Sequence, residues 1–262
     1  MDLILNFTHT YSQDWINANK ELKLIDCSNI EGTDMYCTAE AEELLFKKLS
    51  QYPLDGIHFI DSGNYHYITE IFTKRINEPY NLVFFDNHTD MQTTMIPDIL
   101  SCGSWAKQVI ENDSNLQKII MIGPEENAIK KINIPNPDRL VCISVDELCA
   151  QKELLQNMLC GKFADTDMSL PLYVSVDKDI MSREYARTNW DQGIISLEML
   201  KNMLEYIYGV LHACGGRAIA VDICGELPLK ETSVMEAVEA ERINRRTNQD
   251  LYEFLKALAL TN

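Results

Sequence analysis

Three short stretches of this chain carry carboxylates and imidazoles at a spacing that suits metal coordination. In Asp86-Asn-His-Thr-Asp90, the side chains of Asp86, His88 and Asp90 stand at alternate positions, and an extended backbone points alternate side chains the same way. Asp177-Lys-Asp179 repeats the device, and His66 ends the run Gly63-Asn-Tyr-His66. A carboxylate has free lone pairs on both oxygens, so it can bridge two cations. Hard oxygens mixed with imidazole nitrogens, with no thiolate in the set, suit Mn²⁺ better than a structural zinc. Two such ions, about 3.5 to 4 Å apart, activate a water for attack on a trigonal carbon, and the implied chemistry is hydrolysis. Each motif alone is weak: DxHxD also describes a polar strand end with capping carboxylates, and DxD a phosphotransfer site or a Ca²⁺ loop. The combination, with a histidine behind a third strand, carries the reading.

The elements that must position these residues are legible as short apolar runs: Leu3 to Phe7, Gly56 to Ile60, Leu82 to Phe85, Ile119 to Ile122, Leu140 to Ser144, Leu172 to Ser175 and Ala218 to Val221. Continuous rather than alternating hydrophobicity predicts strands buried on both faces, as in a parallel sheet. Between them, Thr38 to Tyr52, Tyr67 to Ile76, Trp105 to Asn112, Ser196 to Ala213 and Glu231 to Leu258 have helical spacing or composition. Alternating β and α predicts an α/β fold, a doubly wound, mostly parallel sheet with helices on both faces and ligands bound beyond the carboxyl ends of the strands. Asp86, Asp177 and Asp222 each fall at or just past the end of a separate apolar run, and His66 follows another through Asp61-Ser-Gly-Asn. Four strand ends thus converge on one acidic, histidine-bearing site. The chain has no internal repeat and no low-complexity linker, and Asn133 to Arg139 reads as a loop, so residues 1–262 are expected to form one domain.

Composition bounds the partners. A hydrophobic fraction of 46% and a charged fraction of 24% describe an ordinary globular protein. Forty acidic against 23 basic residues leave a net charge of −17, which repels nucleic acid and anionic membranes alike. The first residues, Met1 to Tyr11, have neither a basic region nor a long apolar stretch, and no run approaches a membrane span, so the expected setting is the cytoplasm. Eight cysteines without a CxxC pair read as reduced core thiols.

Gly63-Asn-Tyr-His66, Asp86-Asn-His-Thr-Asp90 and Ser175-Val-Asp-Lys-Asp179 together resemble the signatures of the arginase and agmatinase (ureohydrolase) family: a Gly-rich segment ending in His, then DAHxD, then SxDxDxxDP. The resemblance spans roughly residues 56 to 228 in the family's order. It implies a three-layer αβα fold, a binuclear manganese centre held by His66, Asp86, His88, Asp90, Asp177 and Asp179, and hydrolysis of a guanidinium carbon to release urea. Arginine, agmatine and a peptide-borne arginine are the expected substrates, and a homo-oligomer the expected assembly. Single-zinc deacetylases look similar in fold but need only an Asp, a His and a second Asp, which leaves His66, Asp90 and Asp179 without a task. An amide hydrolase of that type and a catalytically silent metal-binding relative remain the alternatives.

The same resemblance assigns further roles. Asp90 is expected to orient the attacking water, and Glu226, in Val221-Asp-Ile-Cys-Gly-Glu226, to hold the substrate cation. Glu226 lies one residue later than the family's DxxE spacing, with Gly225 at the expected place. Cys102, in Ser101-Cys-Gly-Ser-Trp105, stands where arginases have the histidine of an HG pair. The family's DP after DxD is lost, and the loop that replaces it carries Arg183, Arg187, Asn189 and Trp190. Arg187, Asn189 and Trp190 are the expected substrate-binding residues, an arginine pairing with a carboxylate and the indole walling the pocket.

Overall fold

The computed structural model describes residues 1–94, 99–150 and 155–260. In chain order the elements are β1 (Leu3–Asn6), α1 (Gln13–Ala18), β2 (Lys23–Asp26), β3 (Tyr36–Cys37), α2 (Ala39–Leu49), β4 (Gly56–Phe59), α3 (Ile68–Thr73), β5 (Tyr80–Phe85), β6 (Leu100–Ser101), α4 (Trp105–Asn112), β7 (Leu116–Gly123), α5 (Glu126–Ile129), β8 (Leu140–Ser144), α6 (Val145–Ala150), α7 (Leu155–Phe163), β9 (Leu172–Asp177), α8 (Leu197–Ala213), β10 (Ala218–Cys224) and α9 (Val234–Leu260).

Eight strands form one sheet in the order β2-β1-β4-β10-β9-β5-β7-β8, and every pairing within it is parallel. A separate antiparallel pair joins β3 to β6. Each of the seven apolar runs corresponds to a strand of the large sheet. The eighth, β2, escapes the hydrophobic pattern because it is an edge strand with only Ile25 buried. The central strands β5 and β9 are buried at every residue, which explains their continuous apolar sequence.

Successive residues of a strand face opposite sides, and this splits the interior in two. Leu82 and Phe84 pack with residues of α2, α3 and α4, including Leu45, Phe72 and Trp105. Val83 and Phe85 pack with residues of α1, α6, α7, α8 and α9, including Trp15, Leu148, Leu159, Leu204 and Leu251. The result is the three-layer αβα arrangement. Helix α8 shows why such segments fold locally: the Ser196 hydroxyl accepts from Met199 N at 3.1 Å as its N-cap. Leu197, Leu200, Leu204, Ile207 and Leu211 then recur at helical spacing on its buried face.

The ligand-bearing strands β4, β9 and β5 sit at the middle of the sheet, with β10 inserted between β4 and β9. No described helix is long and apolar enough to cross a membrane.

Candidate metal centre

The short turn after β4 delivers His66 to the carboxyl end of the sheet. Ser62 caps this single 3₁₀ turn by accepting from Asn64 N, and His66 closes it. The loop after β5 delivers Asp86, His88 and Asp90, and the turn after β9 delivers Asp177 and Asp179. A common local device shapes these two segments. Asp86 Oδ1 accepts from His88 N at 2.6 Å, and Asp177 Oδ1 accepts from Asp179 N at 2.9 Å. Such aspartate turns fold the backbone so that both members of each pair face inward. Asp90 takes a left-handed conformation, with φ of 48°, which short polar residues tolerate better than most.

All six side chains line one cavity of about 110 Å³. His66 Nδ1 lies 3.1 Å from Asp86 Oδ2, 3.0 Å from Asp90 Oδ2 and 3.7 Å from Asp177 Oδ2. His88 Nδ1 lies 2.8 Å from Asp179 Oδ2 and 3.4 Å from Asp86 Oδ1. Two of the donor clusters that result, His66 with Asp86 and Asp90 and His88 with Asp86 and Asp179, share a carboxylate. Asp86 belongs to both, one oxygen toward each, which is the arrangement a bridging carboxylate needs.

The electrostatics ask for cations. Burial pushes the Asp177 and Asp179 carboxyls well above their usual range, and neighbouring carboxylates push the same way. Burial opposes protonation of His66, yet Asp86 and Asp90 override it and raise the imidazole well above its ordinary value. At His88 the same contest, won by Asp179 and Asp86, raises it to about 12. The tautomer of His66 is set from behind. Its Nε2 lies 2.9 Å from Ser175 Oγ, which donates to Asp222 Oδ1 at 2.6 Å, so Nε2 carries the proton that Ser175 accepts. Nδ1 is buried and faces three carboxylates, none of them aligned for a well-directed hydrogen bond. A divalent cation completes that position, so the residues fit a metal centre.

Of the residues supporting the site, Trp105 and Cys224 are given no role by the motifs, and Asp222 is expected at the site itself. Trp105 Nε1 donates to Asp90 Oδ2 at 2.5 Å. Asp222 accepts from Ser175 and, at 2.7 Å, from Tyr173, so it stands behind the ligands rather than among them. Cys224, directly opposite Asp177 in the β9–β10 register, donates its thiol to Asp177 Oδ2 at 3.2 Å.

The remaining assignments separate. Trp190 lines the cavity, its Nε1 donating to Asn64 Oδ1 at 2.9 Å and its ring edge-on to His88 at 5.7 Å. It packs on Gly63, where a Cβ would stand 2.9 Å from the indole and 2.9 Å from Asp177 Oδ2. Cys102 lines the cavity too, and burial, followed by the charges of Asp90, Asp177 and Asp86, pushes its thiol up.

Glu226, Arg187 and Asn189 do not line it. The Glu226 carboxylate accepts from Lys178 Nζ and from Asn248 Nδ2, inside the protein and behind the metal-binding turn. The reason is Gly225, which at φ of +95° turns the chain so closely past Asp177 and Lys178 that a Cβ there would lie 2.7 Å from Asp177 Oδ1. Arg187 is spent on the carbonyl of Arg183 and on Glu239. Asn189 donates to Asn64 Oδ1 at 3.0 Å, the same oxygen that holds Trp190. His9, at the end of β1, pairs with Asn6 instead of the cavity.

Against known families, the Arginase family description matches residues 5–247. The chain belongs to the arginase family. An uncharacterised protein of Thermotoga maritima is 29% identical over 189 residues, and that match covers 72% of this chain and 65% of the Thermotoga protein. Among solved structures, Helicobacter pylori arginase superposes with a TM-score of 0.58 at 14% identity, covering 100% of this chain and 99% of that one. The agmatine ureohydrolase of Thermoplasma volcanium gives 0.59 at 14% identity, with 95% and 90% covered. The formimidoylglutamase of Bacillus subtilis gives 0.59 at 12% identity, with 95% and 87% covered. At these identities the superpositions establish the arginase fold, and the family as a whole contains hydrolases of C–N bonds.

Proposed function

We propose that this arginase-family protein hydrolyses a linear C–N bond in a guanidino or amidino compound, with two divalent cations, Mn²⁺ first among them, held by His66, Asp86, His88, Asp90, Asp177 and Asp179. The observation that carries the reading is the buried Nδ1 of His66 set among three carboxylates within 3.7 Å, with a second histidine–carboxylate cluster sharing Asp86. When bound, such a cation pair supplies a water nucleophile at neutral pH and neutralises charge developing on the substrate.

The chain's own residues do the positioning. Ser175 and Asp222 fix the His66 ring, and Trp105 fixes the Asp90 carboxylate, leaving the other Asp90 oxygen to accept a proton from an attacking water. Trp190, locked by Asn64, gives the substrate an aromatic wall on which a planar guanidinium can stack. Arginine, agmatine and a peptide-borne arginine are the compounds to test first, and a cytoplasmic homo-oligomer is the setting we propose.

One observation favours the rival reading, an amide hydrolase on the same centre. Among the described residues, the cavity has no carboxylate beyond the six ligand positions to hold a guanidinium, because Gly225 occupies the family's anchor position and Glu226 is turned away.

Product analysis separates the two. Urea from a guanidino panel with Mn²⁺ supports the first reading, whereas amine and carboxylate products from an amide panel support the second. Asp177→Ala should abolish both metal content, by elemental analysis, and turnover; retention of both would sink the mechanism.

A further inference from the structure

The β9–β10 register that places Asp222 opposite Ser175 also places Cys224 opposite Asp177. Both pairs point toward His66, one bonding behind its Nε2 and the other beside its Nδ1. A ring nitrogen of His66, a carboxylate oxygen of Asp177 and Cys224 Sγ lie within 4.8 Å of one another. Donors at ~2.0 to 2.3 Å from one ion stand at most about 4.6 Å apart, so this triangle is close to coordination size. The thiol is buried completely, as is the His66 ring.

We infer that Cys224 Sγ is a further ligand to the cation held by His66 and Asp177, making one of the two positions a mixed sulfur, nitrogen and oxygen site. The inference rests on the binuclear reading above. Coordination breaks the S–H bond, forms a sulfur–metal bond and releases the proton to water by way of the Asp177 carboxylate that accepts it in the free protein. A soft sulfur donor shifts that position toward Co²⁺, Fe²⁺ or Zn²⁺ and away from Mn²⁺. The all-oxygen-and-nitrogen set around His88 keeps the harder preference, so the two positions discriminate between metals.

Cobalt(II)-loaded full-length protein tests this by absorption. A thiolate ligand produces an intense near-ultraviolet charge-transfer band that oxygen and nitrogen ligands do not. The wild type should show the band, Cys102→Ser should keep it, and Cys224→Ser should lose it while retaining bound cobalt by elemental analysis. Should Cys224→Ser fold poorly, ¹¹³Cd NMR of the wild type gives the answer without a variant, through the strong deshielding that a sulfur ligand causes at one of the two resonances. Two bound ions with no band and no deshielded resonance overturn the inference and leave the binuclear reading standing, as does a band that survives Cys224→Ser. Failure to bind cobalt and cadmium at all overturns both.

Discussion

The ligands hold their aim through single hydrogen bonds from residues that never touch the cavity, so individual side chains behind them should be sensitive. Trp105→Phe keeps the packing against Phe84 and His66 but removes the indole donor that holds Asp90 Oδ2. Loss of such a supporting bond costs 10- to 100-fold in metal affinity, and Mn²⁺ titration calorimetry should read a loss of about that size with the unfolding midpoint little changed. Glu70, far from this chemistry, makes a separate prediction. Burial raises its carboxyl to about 7 against a usual 4.5, only partly offset by Lys74. A folded-state value above the unfolded one means the folded protein binds the proton more tightly, so stability falls as pH rises from 4.5 through 7. Glu70→Gln cannot ionise. It should remove that fall, gaining up to roughly 3 kcal/mol over the wild type above the upper pKa and nothing below the lower one; urea midpoints at the two ends check it. Residue-level reading of the sequence succeeds where spacing constrains geometry. Asp86, His88, Asp90, Asp177 and Asp179 reach one cavity because alternate positions in short turns leave little freedom. At Cys224 the sequence shows only the buried, free thiol that is observed, and its place against Asp177 follows from the register.

Among elements, the turn between β10 and α9 governs most of what the primary structure conceals. The strand was legible from Ala218 to Val221, but the direction of the chain beyond it depends on the φ of Gly225 and on Lys178. This lysine is fully buried and bonded to Glu226 and, at 2.9 Å, to Asn248 of α9. A buried lysine between Asp177 and Asp179 cannot be foreseen from a motif, and it captures the carboxylate that the family spacing suggested for the substrate. Arg187 and Asn189 stand outside the cavity for the same reason, since their partners, Glu239 and Asn244 of α9 and Asn64 in the turn after β4, are fixed only once the fold is packed. Gly225→Ala tests the turn. The added methyl meets Asp177 Oδ1 at 2.7 Å and Lys178 N at 2.9 Å, and the left-handed backbone adds strain of order 1 to 3 kcal/mol. A lowered urea midpoint together with fewer bound Mn²⁺ per chain is expected; unchanged metal content would show that Asp177 tolerates displacement.

At the scale of the molecule, the net charge of −17 and the four converging aspartates act together. They attract divalent cations from a distance, and the association rate for Mn²⁺ should fall as monovalent salt is added. Binding to the folded state alone stabilises it by mass action, about 2.7 kcal/mol at a hundredfold excess over Kd. Thermal scans should therefore show one cooperative transition that Mn²⁺ raises and a chelator lowers, whereas two transitions would divide the chain into domains that residues 1–262 do not suggest. The strand order was beyond reading, because nothing in an apolar run names its neighbours. That order has a consequence for synthesis. The strand between β4 and β9 is the last one to leave the ribosome, so a nascent chain exposes two unpaired parallel edges until Ala218–Cys224 emerges and slots between them. On the proposed reading, stable capture of cations at that centre should therefore wait until this strand is in place.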